Sequence, residues 1–333
     1  LDKKEEAIAA GAIKPGDPVN SKLVKRIWAL EPAHLMPPPW LNKKLTEEQK
    51  ELLTRWIKQG AQYEPHWAYI KPQRPEAPRG PSAIDYLINK KLEERDLQSV
   101  GQADRHTLAR RLSFDLTGIP PSPETIDAFV NGSAVVAYER LVDKFMSSPQ
   151  FGERMAVHWL DLVRYADTMG FHGDVPISMY PYRDYVIRAF NENKPFDQFT
   201  REQLGGDLLP NPTTWQRVAS GYNRLNRMTN EGGAQAEEYL ARYLSDRLRA
   251  TSTVWLGSTL GCAECHDHKF DPFSTKDFYQ FAAFFADIEE VGVYSGSWDF
   301  GPRLRVPTPQ GEKQIARIDR EIARLKLEGR EQL

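Results

Sequence analysis

Both cysteines of this 333-residue chain fall in one stretch, Gly261-Cys262-Ala263-Glu264-Cys265-His266-Asp267-His268. Cys262, Cys265 and His266 spell C-x-x-C-H, the attachment signature of a c-type haem. The chemistry sets the spacing. Two thiols three residues apart on one turn can add to the two vinyl groups of a haem, and the adjacent imidazole then meets the iron. Two other readings use the same residues. Zinc would draw on Cys262, Cys265 and either His268 or His266. It wants four tetrahedral ligands, and adjacent Cys265 and His266 would strain to serve one ion together. An inert or disulfide-bonded cysteine pair is the third reading.

A net charge of −2 and a pI near 6.5 give no electrostatic ground for nucleic acid or an anionic membrane surface as partner. No apolar run approaches the roughly 18 residues of a membrane span. The length suits about two domains, and a 40% hydrophobic composition supplies a core for them. The chain starts at Leu1 without a signal peptide. Covalent haem attachment normally follows export, so the start of the protein is expected upstream and its location periplasmic or otherwise extracytoplasmic.

The patterning is mostly helical. Residues 1–63 read as a small helical unit. Ser21 stands at a cap position before Leu23, Val24 and Ile27. Met36-Pro37-Pro38-Pro39 is extended, because proline fixes its own φ and biases the residue before it. Thr46 and Gln49 form a capping box for a helix showing Leu52, Leu53, Trp56 and Ile57 on one face, stopped by Gly60. The prolines at 65, 72, 75, 78 and 81 mark 64–82 as a semi-rigid linker.

From 83 onward helices are expected near 83–94, 105–116, 152–167, 182–192, 196–204 and 237–256, with another opened by Ser122-Pro123-Glu124. In 152–167 the apolar face is Met155, Trp159, Leu162 and Ala166. Segments 168–182 and 223–236 read as loops, the second polar. After the cysteine motif, Ser274 with Asp277 caps a helix showing Phe278, Phe281 and Phe285. That face is either a wall for a flat macrocycle or an ordinary aromatic core. Residues 291–333 hold an irregular segment and a coiled-coil-like helix. Its Ile315, Ile318, Ile322 and Leu325 at 3-4-3 spacing offer a helix partner a face through 312–328.

The second iron ligand decides what a haem here can do. A six-coordinate haem passes electrons, whereas an open face binds small molecules. His158 sits mid-helix with Asp161 one turn on, placed to orient its free ring nitrogen. Met228 lies on a loop, where a thioether can reach a metal. The plain readings are a hydrogen-bonded core histidine and a packed methionine. His268, two residues on, is expected to point away from an iron held by His266 and could serve another metal or haem or hydrogen-bond a propionate, and His172 lies on the aromatic loop. Lys269, Arg247 and Arg249 are placed to pair with propionates, with a solvated helix face as the plainer account of the two arginines. H-E-x-x-H, G-x-S-x-G, G-x-G-x-x-G and Walker loops are absent from the sequence.

Several stretches then stand out in order: Lys14-Pro15-Gly16-Asp17-Pro18, Met36-Pro37-Pro38-Pro39, Leu45-Thr46 through Trp56-Ile57 to Gly60-Ala61, and Arg110 to Gly118. His158-Trp159-Leu160-Asp161, Arg164-Tyr165-Ala166-Asp167, Met228-Thr229-Asn230-Glu231-Gly232 and the motif running on to Pro272 follow. Over about 14–285 the chain resembles the multidomain cytochrome c proteins of planctomycetes. The resemblance implies a mainly α, irregular multi-helical haem domain with long loops at 83–290. A C-terminal part of a cytochrome c-like domain would precede it at 1–63. The upstream half with that domain's own C-x-x-C-H is not in this chain. Met36 matches the methionine expected to ligate its iron, so a second haem is expected only where that half is present. His158 and Met228 fall on family-motif positions; Met155, Met169 and His172 do not. A further C-terminal domain usually follows.

The resulting expectation is an exported c-type cytochrome domain. One haem c is bound covalently by Cys262 and Cys265, with His266 proximal and His158 distal, or Met228 in its place. It exchanges electrons with an unidentified redox partner. The alternatives are a haem oxidoreductase or peroxidase with an open distal site, tied to polysaccharide catabolism by family association alone, and a zinc-bound or structural module.

Overall fold

The computed structural model describes residues 1–333 apart from 2, 65, 79–81, 133, 172, 295–300 and 332–333. The protein is mainly α-helical, 57% helix against 1% strand. It divides into two compact units, residues 1–99 with 269–272, and residues 100–268 with 273–333.

In the first unit, α1 (Lys4–Ala9), α2 (Lys22–Ile27) and α3 (Glu47–Lys58) enclose a small core of Ala7, Ile13, Ile57 and Ala61. The Thr46–Gln49 capping box forms in full. Such a cap is worth about 1 kcal/mol. Gly60, at φ +103°, turns the chain out of the helix. Only part of the expected face is inward: Ile57 is fully buried, while Leu52 is exposed. Ser21 does sit at the start of α2, but its hydroxyl turns away from the helix. It accepts from Lys14 N and donates to the Asp17 carbonyl, at 2.8 and 2.9 Å. α4 (Ser82–Glu93) follows, with no buried residue.

The second unit runs α5 (Arg105–Thr117), α6 (Pro123–Asn131), α7 (Ala134–Met146) and α8 (Pro149–Leu162). A two-residue antiparallel pair comes next, β1 (Thr168–Met169) with β2 (Val175–Pro176). Then come α9 (Tyr180–Asn191), α10 (Phe196–Gly205), α11 (Thr214–Ala219), α12 (Ala236–Thr251), α13 (Thr275–Ala283) and α14 (Pro309–Glu331). The sequence reading lacks the hairpin and α11; both are too short to show a period.

The α8–α9 contact is close because Gly152 has no side chain. A Cβ there would sit 2.4 Å from the Ile187 carbonyl oxygen. Asn191 clips the pair, accepting from Gly152 N and donating to the Pro149 carbonyl. The inward face of α8 is Gly152, Ala156 and Trp159, continued by Val163. Leu162 is exposed, contrary to the sequence expectation. The helix ends at Leu162 because Arg164 takes a left-handed φ of +61°, so the helical period does not extend to Ala166.

The central core joins Trp159, Tyr182, Tyr185, Phe199 and Tyr222. Within it Glu202, 1% exposed, accepts from Tyr185, Lys194, Gln198 and Gln216. Burial pushes this carboxyl up, but the four donors outweigh it and hold it below the ordinary glutamate range. The same burial drives the Tyr182 and Tyr185 phenols far above their usual value. The segment 223–236 is not simply a polar loop. Asn223, Asn226, Met228 and Thr229 are all buried.

Candidate functional site

The cysteine motif is delivered by α12. A π-helical turn, Ser252–Leu256, extends that helix, and Gly257 at φ +60° ends it. Ser252, fully buried, receives Ser258 N on its carbonyl and Leu260 N on its hydroxyl. The chain then makes a 3-10 turn over Leu260–Glu264.

That turn has two sides. Leu260 and Ala263 are buried, and they pack with Leu248, Phe278, Ala282 and Phe285. Cys262, Cys265 and His266 are exposed, and both thiols are free. The amides of Cys265 and His266 both donate to the Cys262 carbonyl at 3.4 Å, drawing the three residues into one turn.

Glu264 fastens the turn to α12. Its carboxylate accepts from Ser245 Oγ at 2.8 Å and pairs with Arg249. From α13, Tyr279 Oη donates to the Glu264 carbonyl at 3.2 Å. Arg249 also lies against Gly261, where a Cβ would meet its Nε at 3.1 Å.

His266 Nδ1 stands 2.9 Å from the Asp267 carbonyl oxygen. A carbonyl only accepts, so the ring proton belongs on Nδ1 and the lone pair on Nε2. This is the tautomer a metal-ligating histidine needs, oriented as such ligands are by a backbone carbonyl. Asp267 is itself held, since its carboxylate accepts from Thr275 N at the start of α13. Two exposed cysteines and an exposed histidine on one fastened turn fit the demands of covalent haem attachment.

The other residues singled out from sequence are dispersed. His158 is exposed on α8, as is Asp161. Met228 is 1% exposed in a cluster with Met169, Tyr239, Tyr243 and Tyr294, its sulfur 3.7 Å from Arg224. Met36 is half-buried in the first unit, its N–H on the Arg26 carbonyl. His268 is half-buried, with its N–H on the Phe273 carbonyl. His172 lies outside the described residues. Phe278 and Phe285 belong to the core beneath the turn rather than to an open wall, with Phe281 packed against them. The solvated-face account fails for Arg247, which is buried, and holds for Arg249, which is exposed. Arg247 is buried in a bidentate pair with Glu290, and Arg249 is engaged with Glu264.

Sequence reasoning missed Glu264, which occupies a variable position of the motif. The signal was faint: Ser245 and Arg249 stand four apart on α12, on one helix face. Among the described residues no group of three or more His, Cys, Asp or Glu side chains gathers into a metal-holding cluster, so the zinc reading gains nothing. No described helix is long and apolar enough to cross a membrane.

Fold and site together define a mainly helical, many-helix domain presenting a C-x-x-C-H turn to solvent. Residues 83–290 match the PSCyt2 family, described as "Protein of unknown function (DUF1549)". The match covers more than half of the chain, and the chain belongs to this planctomycete-associated, cytochrome-related family. No curated protein and no solved structure matches it.

Proposed function

We propose that the second unit is an exported c-type haem domain that transfers electrons. The observation that carries this reading is the two-sided turn: Ala263 is buried in the core while Cys262, Cys265 and His266 are exposed. Cys262 and Cys265 hold the haem as thioethers. His266 supplies the proximal nitrogen, its Nδ1–H donating to the Asp267 carbonyl. Glu264, Ser245 and Arg249 keep the turn in place, and Tyr279 offers an exposed aromatic ring beside it. Haem so held supplies a one-electron couple whose potential follows from its axial ligands and surroundings. Extracytoplasmic placement goes with this reading, because the attachment normally follows export.

The enclosure of Met228 among aromatic rings and against Arg224 favours His158 over Met228 as the distal ligand. It equally suits a second reading, in which the distal face stays open and the domain is a haem oxidoreductase. A pyridine haemochrome spectrum of protein made with a c-type maturation system tests the main reading. The thioether-linked signature is expected, and should vanish in Cys262→Ser/Cys265→Ser. Its absence from the parent protein refutes haem attachment. Ferric cyanide titration then separates the two functions. Binding without loss of a protein ligand marks the open site, and His158→Ala should turn a six-coordinate spectrum high-spin if His158 is distal.

A further inference from the structure

We infer that α14 is a dimerisation element, pairing two copies of this chain in a short parallel coiled coil. The helix has its own start: Thr308 Oγ1 accepts from Gly311 N at 3.1 Å and its carbonyl from Glu312 N at 2.8 Å. Every side chain from 312 to 326 is exposed. The exposed set includes Ile315, Ile318, Ile322 and Leu325, at 49, 51, 44 and 55%. A lone helix in water draws little stability from its own hydrogen bonds. A stripe of four large aliphatics at 3-4-3 spacing is the seam of a coiled coil. Ile315 and Ile322 take position a, and Ile318 and Leu325 take d.

The flanking charges choose the occupant. In this register Asp319 and Lys326 sit at e, and Gln314 and Glu321 at g. In a parallel pair each g residue faces the partner's e residue five positions on. Glu321 then meets Lys326 of the partner subunit, once on each side of the two-fold axis. Gln314 meets Asp319 of the partner subunit, and no like charges are opposed. In an antiparallel pair on the same seam, Glu321 opposes its own copy and Asp319 opposes its own copy, offset in part by Glu312, also at e, against Lys326 of the partner subunit. Like charges in register cost energy, so the pattern selects a second copy aligned in parallel. Within one helix Glu321 pairs with Arg324, a solvent-exposed pair of small value that the interhelical contact can replace. The inference does not depend on haem.

Sedimentation of the full chain over about a hundredfold concentration range tests it. The average mass should rise from 38.1 kDa towards twice that value. Ile318→Asp with Ile322→Asp should stay monomeric with the rest of its circular dichroism intact. Glu321→Lys should weaken the dimer by about fivefold, and adding Lys326→Glu should restore it. A monomer at every concentration, a dimer that survives the two aspartates, or a charge swap that fails to restore would each overturn the inference.

Discussion

Glu264 shows how a residue outside a motif's fixed letters can matter to it. It is partly exposed, so its pair with Arg249 carries only a surface pair's worth, but the Ser245 bond adds to it. Glu264→Ala should cost about 1 kcal/mol in thermal melts of the haem-free protein. It should also lower the fraction of chains carrying thioether haem, read as the ratio of haem absorbance to protein. Ala263 is the sterner position, because it is fully buried beneath the turn. Ala263→Leu should overpack that core by about 1–3 kcal/mol and displace both thiols. Glu202 gives the chain an acid-sensitive point. Its folded carboxyl titrates below the ordinary 4.5. The stability it contributes is therefore complete above about that pH and is lost as pH falls through the lower folded value. Glu202→Gln should flatten the acid limb of stability against pH, measured by urea unfolding, and should lower stability at neutral pH by leaving Lys194 without its buried partner.

At the scale of elements, the α8–α9 pair and the α12 terminus do the positioning. Gly152→Ala would improve helix propensity by about 1 kcal/mol. Its Cβ would nonetheless meet the Ile187 carbonyl oxygen at 2.4 Å and the Asn191 amide at 2.5 Å. The net expectation is a loss of about 2–3 kcal/mol, whereas Gly232→Ala, with nothing within 4 Å, should change stability little. Chemical denaturation of the two variants checks the contrast. Helices with a cap and a strong period were readable from sequence, as α3, α6 and α13 show. α11 was not, because six residues hold too little of a period. The face of α8 differs from the expected one because packing selects the stripe Gly152, Ala156, Trp159 and Val163 and leaves Leu162 exposed, while the left-handed Arg164 ends the helix before Ala166.

At the scale of the whole molecule, the chain passes from one compact unit to the other between α4 and α5. Residues 95–101 there are exposed and outside regular structure. Units with separate cores tend to unfold separately. Limited trypsin digestion should cut first at Arg95, and calorimetry should show two transitions. A single transition with no early fragment would mean one cooperative unit. The PSCyt2 match begins at residue 83, ahead of this break, so α4 goes with the family's sequence pattern while grouping with the first unit in space. α4 buries none of its residues, which is why neither its apolar content nor its capping could reveal its company.

The order of residues by itself determined the chemistry on offer at 262–266. C-x-x-C-H needs only one turn of backbone to bring two sulfurs and an imidazole together, and that is a local property. The sequence also determined the helical class, through periodicity and caps. Only the tertiary structure decided which side of that turn faces the core. It also decided that Glu264 is clasped from α12 and α13, and that Met228 is enclosed among tyrosines while His158 stays at the surface. Those outcomes depend on contacts between residues far apart in the chain, set by how helix faces pack, and no spacing along the sequence encodes them.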